Sequence, residues 1–190
     1  MDYLLWLGIT LGSLVLFGLI ILVWYLVTIN IFKQTSNQAK TAMLDIDELI
    51  INKHNLLMQM IELVKRHLPD FAKSLAQMQK IPSSLGTDLI ESKQDISNQV
   101  SKAMKSIYKQ LDQQPEVKAD NTIKIALDEW IVMEESLQMA RRVYNSSVSS
   151  FNRKIVTFPT SVVANIKKYK RIDFFEADIT LSKETEDIED

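Results

Sequence analysis

"NTIKIALDEWIVMEESLQMARRVYNSSVSSFNRKIVTFP", residues 121–159, is the stretch whose spacing decides the fold. Ile123, Leu127, Trp130, Glu134, Leu137, Arg141, Tyr144, Val148, Phe151, Ile155 and Phe158 follow one another at alternating steps of four and three. That is one face of an α-helix, since a strand would repeat every second residue. Asp120 or Asn121 supplies an N-cap, and Pro159, which has no N–H to donate, ends the helix. The face is apolar except at Glu134 and Arg141, with Asn145 and Asn152 beside it. Charges on a core-facing stripe need partners, because an unpaired buried charge is costly. Two readings stay open: these groups pin the register of packed helices, or they offer a contact surface to another subunit. No histidine, second carboxylate or nucleophile is spaced to join them, so the seam does not read as catalytic.

Upstream, Met43, Ile50, Leu57, Val64, Phe71 and Met78 recur every seven residues. Leu49, Leu56 and Leu63 flank them on one side, and Ile61, Leu68 and Leu75 on the other. So wide an apolar arc faces two neighbours. It predicts a helix from about Ser36 to Lys80, kinked at Pro69 and broken by "KIPSSLG" (80–86). A second helix, about Thr87 to Gln113, carries Leu89, Ile96, Val100, Ala103, Ile107 and Leu111 on a narrower stripe. "DQQPEVKAD" (112–120) joins it to the third. Short connections between long helices predict antiparallel neighbours. The expected fold is all-α: an up-and-down bundle of three long helices, coiled-coil-like in its seams, with a short amphipathic fourth after Pro159.

From Tyr3 to Phe32 no residue is charged. About 20 apolar residues cross a bilayer core, so this run is expected to be a single-pass transmembrane helix that has length to spare or tilts. A cleavable signal peptide would begin basic, carry a shorter apolar run and end on small residues. Trp6 and the Trp24–Tyr25 pair fit the two interfacial belts. Only Asp2 precedes the run, whereas Lys33 and Lys40 follow it, which puts the amino terminus outside and the domain in the cytoplasm. Gly8 and Gly12 form a G-x-x-x-G pair, a pattern that lets two such helices approach closely. The chain thus divides into a two-residue start (1–2), a span (3–32), a helical domain (33–176) and an acidic tail (177–190) expected to be disordered.

Composition narrows the function further. A net charge of −2 gives no general attraction to nucleic acid. With no cysteine there are no disulfides or thiolate metal sites. His54 and His67 stand thirteen apart on one helix, too distant to share an ion. Four glycines, three of them before residue 20, leave no phosphate-binding loop. No cofactor, metal or active site is expected.

Three stretches, "PEVKAD" (115–120), "ARRVYNSSVSSFNRKIVTFP" (140–159) and "FFE" (174–176), with Val163 and Ala164, resemble the LemA family of bacterial membrane proteins. The family pattern falls on Arg141, Arg142, Tyr144, Asn145, Val148, Phe151, Asn152, Ile155, Phe158, Pro159 and Ala164. In the first helix the likeness weakens. Where the family shows an Asp-Leu-Ile-Pro-Asn-Leu-Val run, this chain reads "NLLMQMI" (55–61), keeping Leu56 but placing Met58 and Gln59 at the proline and asparagine positions. "ELVKRH" (62–67) continues the likeness. The resemblance implies an antiparallel helical bundle tethered to the cell membrane and implies no enzymatic activity.

"NIKKYKRIDFF" (165–175) concentrates Lys167, Lys168, Lys170 and Arg171 around Tyr169, followed by Phe174 and Phe175. Such a segment suits anionic lipid or an acidic neighbouring subunit. If the first helix rises from the bilayer and the third also points away, the segment ends roughly 50–60 Å from the membrane. That geometry favours the subunit. The expected function is a non-enzymatic membrane scaffold that forms a homo-oligomer. A regulatory adaptor for another membrane protein, such as a protease or sensor, is the alternative. Membrane lipids are expected partners, and nucleic acid is not.

Overall fold

A computed structural model describes residues 2–76 and 90–175. Six helices make up the described chain: α1 (Asp2–His67), α2 (Pro69–Ala76), α3 (Ile90–Asp112), α4 (Pro115–Lys118), α5 (Asn121–Val156) and α6 (Thr160–Lys167). No strand occurs among the described residues. The all-helical bundle with three long members and a short one at the end is therefore as expected. The kinked helix expected to reach Lys80 is instead two helices. Pro69 opens α2, where its missing N–H costs nothing. Leu68 N donates to Val64 O at 2.7 Å and Ala72 N to Leu68 O at 3.1 Å, so the interruption is one residue long. The break at 80–86, the helix start at Thr87 and the tail at 177–190 lie outside the described residues.

The chain packs as two compact units. The bundle unit comprises Lys40–Asn145 with Asp173–Asp190. On α1, Ala42, Ile46, Ile50, Lys53, Leu57, Met60 and Val64 are buried at steps of three and four. Ile96, Val100, Ala103, Ile107 and Leu111 of α3 and Ile123, Leu127 and Leu137 of α5 are buried as well. The side-chain pairs fix the directions. Asp47 meets Lys93 and Lys53 meets Ser101, so α3 runs parallel to α1. Lys53 also meets Glu134, and His67 lies 3.8 Å from Asp120, so α5 runs antiparallel to α1. An up-and-down order would have reversed α3. The connection explains the difference: residues 68–89 separate α1 from α3, and a connection of that length lets two successive helices run the same way. Asp120 caps α5 as expected, its Oδ1 accepting from Thr122 N at 2.8 Å and Ile123 N at 3.4 Å. Those two bonds hold its carboxyl below the ordinary aspartate value.

The span unit comprises Met1–Ala39 with Ser146–Ile172. Its part of α1 is long and apolar enough to cross a membrane. Residues 5–23 are exposed throughout. The hydroxyls of Thr10, Ser13 and Thr28 donate back to the carbonyls of Leu7, Thr10 and Trp24, so none needs water. From Trp24 onward α1 is covered on one side. Phe32, Phe151, Val163 and Ala164 form a buried cluster, with Trp24, Tyr25, Ile29, Ile155, Tyr169 and Ile172 packed around it. Tyr3 to Val23 measures about 31 Å along a helix, close to the roughly 30 Å of a bilayer core. The surplus length expected in the 3–32 run is the portion that packs on α5 and α6.

Candidate functional site: polar seam, asparagine clamps and a cationic collar

Lys53 takes the seam position three after Ile50 and four before Leu57, and is fully buried. Its ammonium pairs with Glu134 and donates to Ser101 Oγ at 2.8 Å, lying 4.8 Å from the centre of the Trp130 ring. Burial holds its pKa below the ordinary lysine value against the pull of Glu134, and Arg141 lowers it further. Arg141 donates to Ser97 Oγ at 2.6 Å, and its guanidinium lies 5.1 Å from the centre of the Phe175 ring. A second ion pair, Lys93–Asp47 at 2.6 Å, continues the polar seam between α3 and α1. Glu134 and Arg141 thus do face the seam, but each has its own partner. The partner of Glu134 is a lysine on α1 that sequence reasoning missed. Its signal was there: Lys53 sits on the apolar rhythm of its helix. No solvent reaches the Lys53 side chain, and the pair ties α1 to α5.

The asparagines answer to the end of the chain. In the span unit, Asn152 Nδ2 donates to Ile172 O at 2.8 Å and its Oδ1 accepts from Ile172 N at 2.9 Å. In the bundle unit, Asn145 Nδ2 donates to Phe175 O at 2.9 Å and its Oδ1 accepts from Phe175 N at 2.8 Å. The Tyr144 hydroxyl donates to Asp173 O at 2.9 Å. Burial, with the nearby Asp173 carboxylate, pushes the Tyr144 phenol up to about 12. Each asparagine satisfies both polar groups of one residue outside any helix, as a paired strand would. Phe175 is buried, while Phe174 is 47% exposed. Three residues of the family pattern lie outside the buried seam. Arg142 is exposed, and Phe158 is 79% exposed because α5 stops at Val156 and the stripe ends with it. Pro159 is exposed and precedes α6.

The basic segment belongs to the span unit through Tyr169, whose ring centre lies 4.8 Å from that of Phe32 and 6.0 Å from that of Phe151. This overturns the expectation that it stands roughly 50–60 Å from the membrane. That figure assumed an antiparallel α3; with α3 parallel to α1, α5 runs back against it. Lys167, Lys168, Lys170 and Arg171 are all exposed. Lys168 adopts a left-handed conformation (φ 54°, ψ 39°) that closes α6. Lys33 and Arg153 are exposed in the same unit, and Lys154 donates to Thr35 Oγ1 at 2.8 Å and Ser150 Oγ at 3.3 Å. Burial first, and Arg153 second, lower the pKa of Lys154. The only acid in this unit is Asp2.

On the outside of the bundle unit, α5 carries a second apolar row. Ile125, Val132 and Met139 stand seven apart at 58%, 61% and 68% exposure. Val132, Ser136, Met139 and Ala140 line a shallow groove with Ala42 and Asp45 of α1. In the span unit, a side chain placed at Gly8 or Gly12 would meet nothing within 4 Å. No group of three or more histidine, aspartate or glutamate side chains converges as a metal site among the described residues. Compared with curated proteins, the chain matches none. The LemA family model matches residues 42–189, a range that takes in the polar seam, both clamps and the basic segment. The chain belongs to the LemA family.

Proposed function

We propose that the protein is a non-enzymatic scaffold, anchored in the cell membrane by α1, that self-associates through the outer face of α5. The exposed row of Ile125, Val132 and Met139 carries this reading. Seven-residue spacing is the pattern by which one helix receives another, and these residues lie outside the seam that already holds the bundle. Leu44 and Ile51 add exposed apolar side chains seven apart on α1. Gly8 and Gly12 leave the span open to close approach by a second copy. The domain faces the cytoplasm, a reading supported by the cations that folding gathers beside the span.

Particle size tests the proposal. Full-length protein extracted in mild detergent should run as a uniform assembly larger than one chain in its micelle. Val132→Lys with Met139→Lys should reduce it to single chains without loss of helicity. A single chain that carries one other membrane protein through purification would replace the scaffold with an adaptor. A bare monomer would remove both.

A further inference from the structure

We propose that α6 is an interfacial helix. Phe158, Val162 and Ile166 lie in the headgroup region of the bilayer that α1 crosses, while Lys167, Lys168, Lys170 and Arg171 bind the phosphates of anionic lipid. The inference rests on α1 crossing the bilayer and is independent of self-association.

Three observations carry it. The first is amphipathicity. On α6, Val162 and Ile166 stand one turn apart and are 45% and 61% exposed, and Phe158, just before the helix, is 79% exposed, whereas Val163 and Ala164 are buried in the cluster with Phe32. An apolar face open to water beside a strongly basic one is the pattern of helices that lie in the membrane plane. The second is level. Trp24 and Tyr25, where the lipid-length part of α1 ends, pack on the same cluster as Val163, Ala164 and Tyr169. α6 is thus held beside the end of the span, at the depth of an aromatic belt. The third is charge. Lys33, Arg153, Lys154 and the four cations of 167–171 share their unit with one acid, Asp2, at the far end of the span, and Asp173 follows just past it, although the whole chain is net negative. Seven cations so outnumbering the acids around them suit an anionic surface. Because α1 already holds the unit at the bilayer, α6 engages from a high effective concentration, and even modest affinity per contact keeps it down.

The absence of cysteine allows a direct test. Phe158→Cys and Ile166→Cys in the full-length chain each accept one polarity-sensitive fluorophore. In nanodiscs containing phosphatidylglycerol, both labels should emit to the blue of the free dye–cysteine adduct in buffer and be quenched by lipids brominated near the headgroup. In phosphatidylcholine alone both effects should weaken. A basic residue near an anionic surface contributes about fivefold in binding. Replacing Lys167, Lys168, Lys170 and Arg171 with glutamine should therefore abolish the difference between the two lipids while helicity is kept. Emission matching the free adduct in both lipids would overturn the proposal. So would equal immersion in both that the glutamine variant does not change. Smaller particles for that variant, with both labels still wet in the parent, would give the segment to a neighbouring copy instead.

Discussion

Removing the Lys53 ammonium would leave the Glu134 carboxylate without its cation in a seam largely closed to water. Lys53→Met should cost about 3 kcal/mol, the lower end of what breaking a buried pair does, because the Glu134 side chain keeps 20% exposure. Adding Glu134→Leu should restore most of the loss; thermal melting of the single and double variants checks both. Arg141→Ala should cost less, about 2 kcal/mol, since it strands a serine hydroxyl and a ring face and no carboxylate. Alkaline pH separates two groups of opposite sign. Between the depressed value of native Lys53 and 10.5, the unfolded lysine holds a proton that the native one has released, so stability rises with pH across that window. Tyr144 does the reverse. Its native phenol titrates at about 12 against 10.0 unfolded, so stability falls as pH climbs from 10 to 12. Tyr144→Phe should flatten the fall and Lys53→Met the rise, read as melting temperature against pH. The helical rhythm placed Glu134 and Arg141 in the seam, but it could not name their partners. Lys53 and Ser97 lie on other helices, and the pairing depends on register and direction that no local pattern encodes.

Helix α5 was the most legible element, because its alternation of fours and threes is long enough to exclude other periods. The direction of α3 was not legible. Its apolar stripe is the same whichever way it runs, and the decision lies in the connection at 68–89. Nor did the sequence announce that residues 172–175 lie along α5, since an asparagine beside an apolar stripe serves equally well in solvent. The spacing was the available hint: seven residues of helix advance about 10.5 Å, and three residues of extended chain about 10 Å. Each asparagine makes two hydrogen bonds to one backbone residue, together worth about 2 kcal/mol. Asn152→Ala should therefore speed hydrogen exchange at the Ile172 amide, and Asn145→Ala at the Phe175 amide. Equal protection in both variants would show that the segment is held by its side chains and not by the clamps.

At the scale of the whole molecule, the linear sequence shows only Lys33 and Lys40 after the span, a small bias for orientation. Folding adds Arg153, Lys154 and the four cations of 167–171 to the unit that contains the span. A carboxyl-terminal reporter that works only in the cytoplasm should therefore be active, and protease added outside intact cells should spare the helical domain. Digestion of the domain from outside would reverse the assignment. The same distribution bears on energetics across the membrane. Moving one elementary charge through a transmembrane potential changes its energy by about 2.3 kcal/mol per 100 mV. All 22 lysines and arginines lie beyond the span, but so do all the acids except Asp2, so the two signs nearly cancel there and the potential acts on a net charge of about −1. A near-neutral domain gives the membrane voltage almost nothing to hold, so any fixed orientation would come from the few cations beside the span and not from the energised state of the cell.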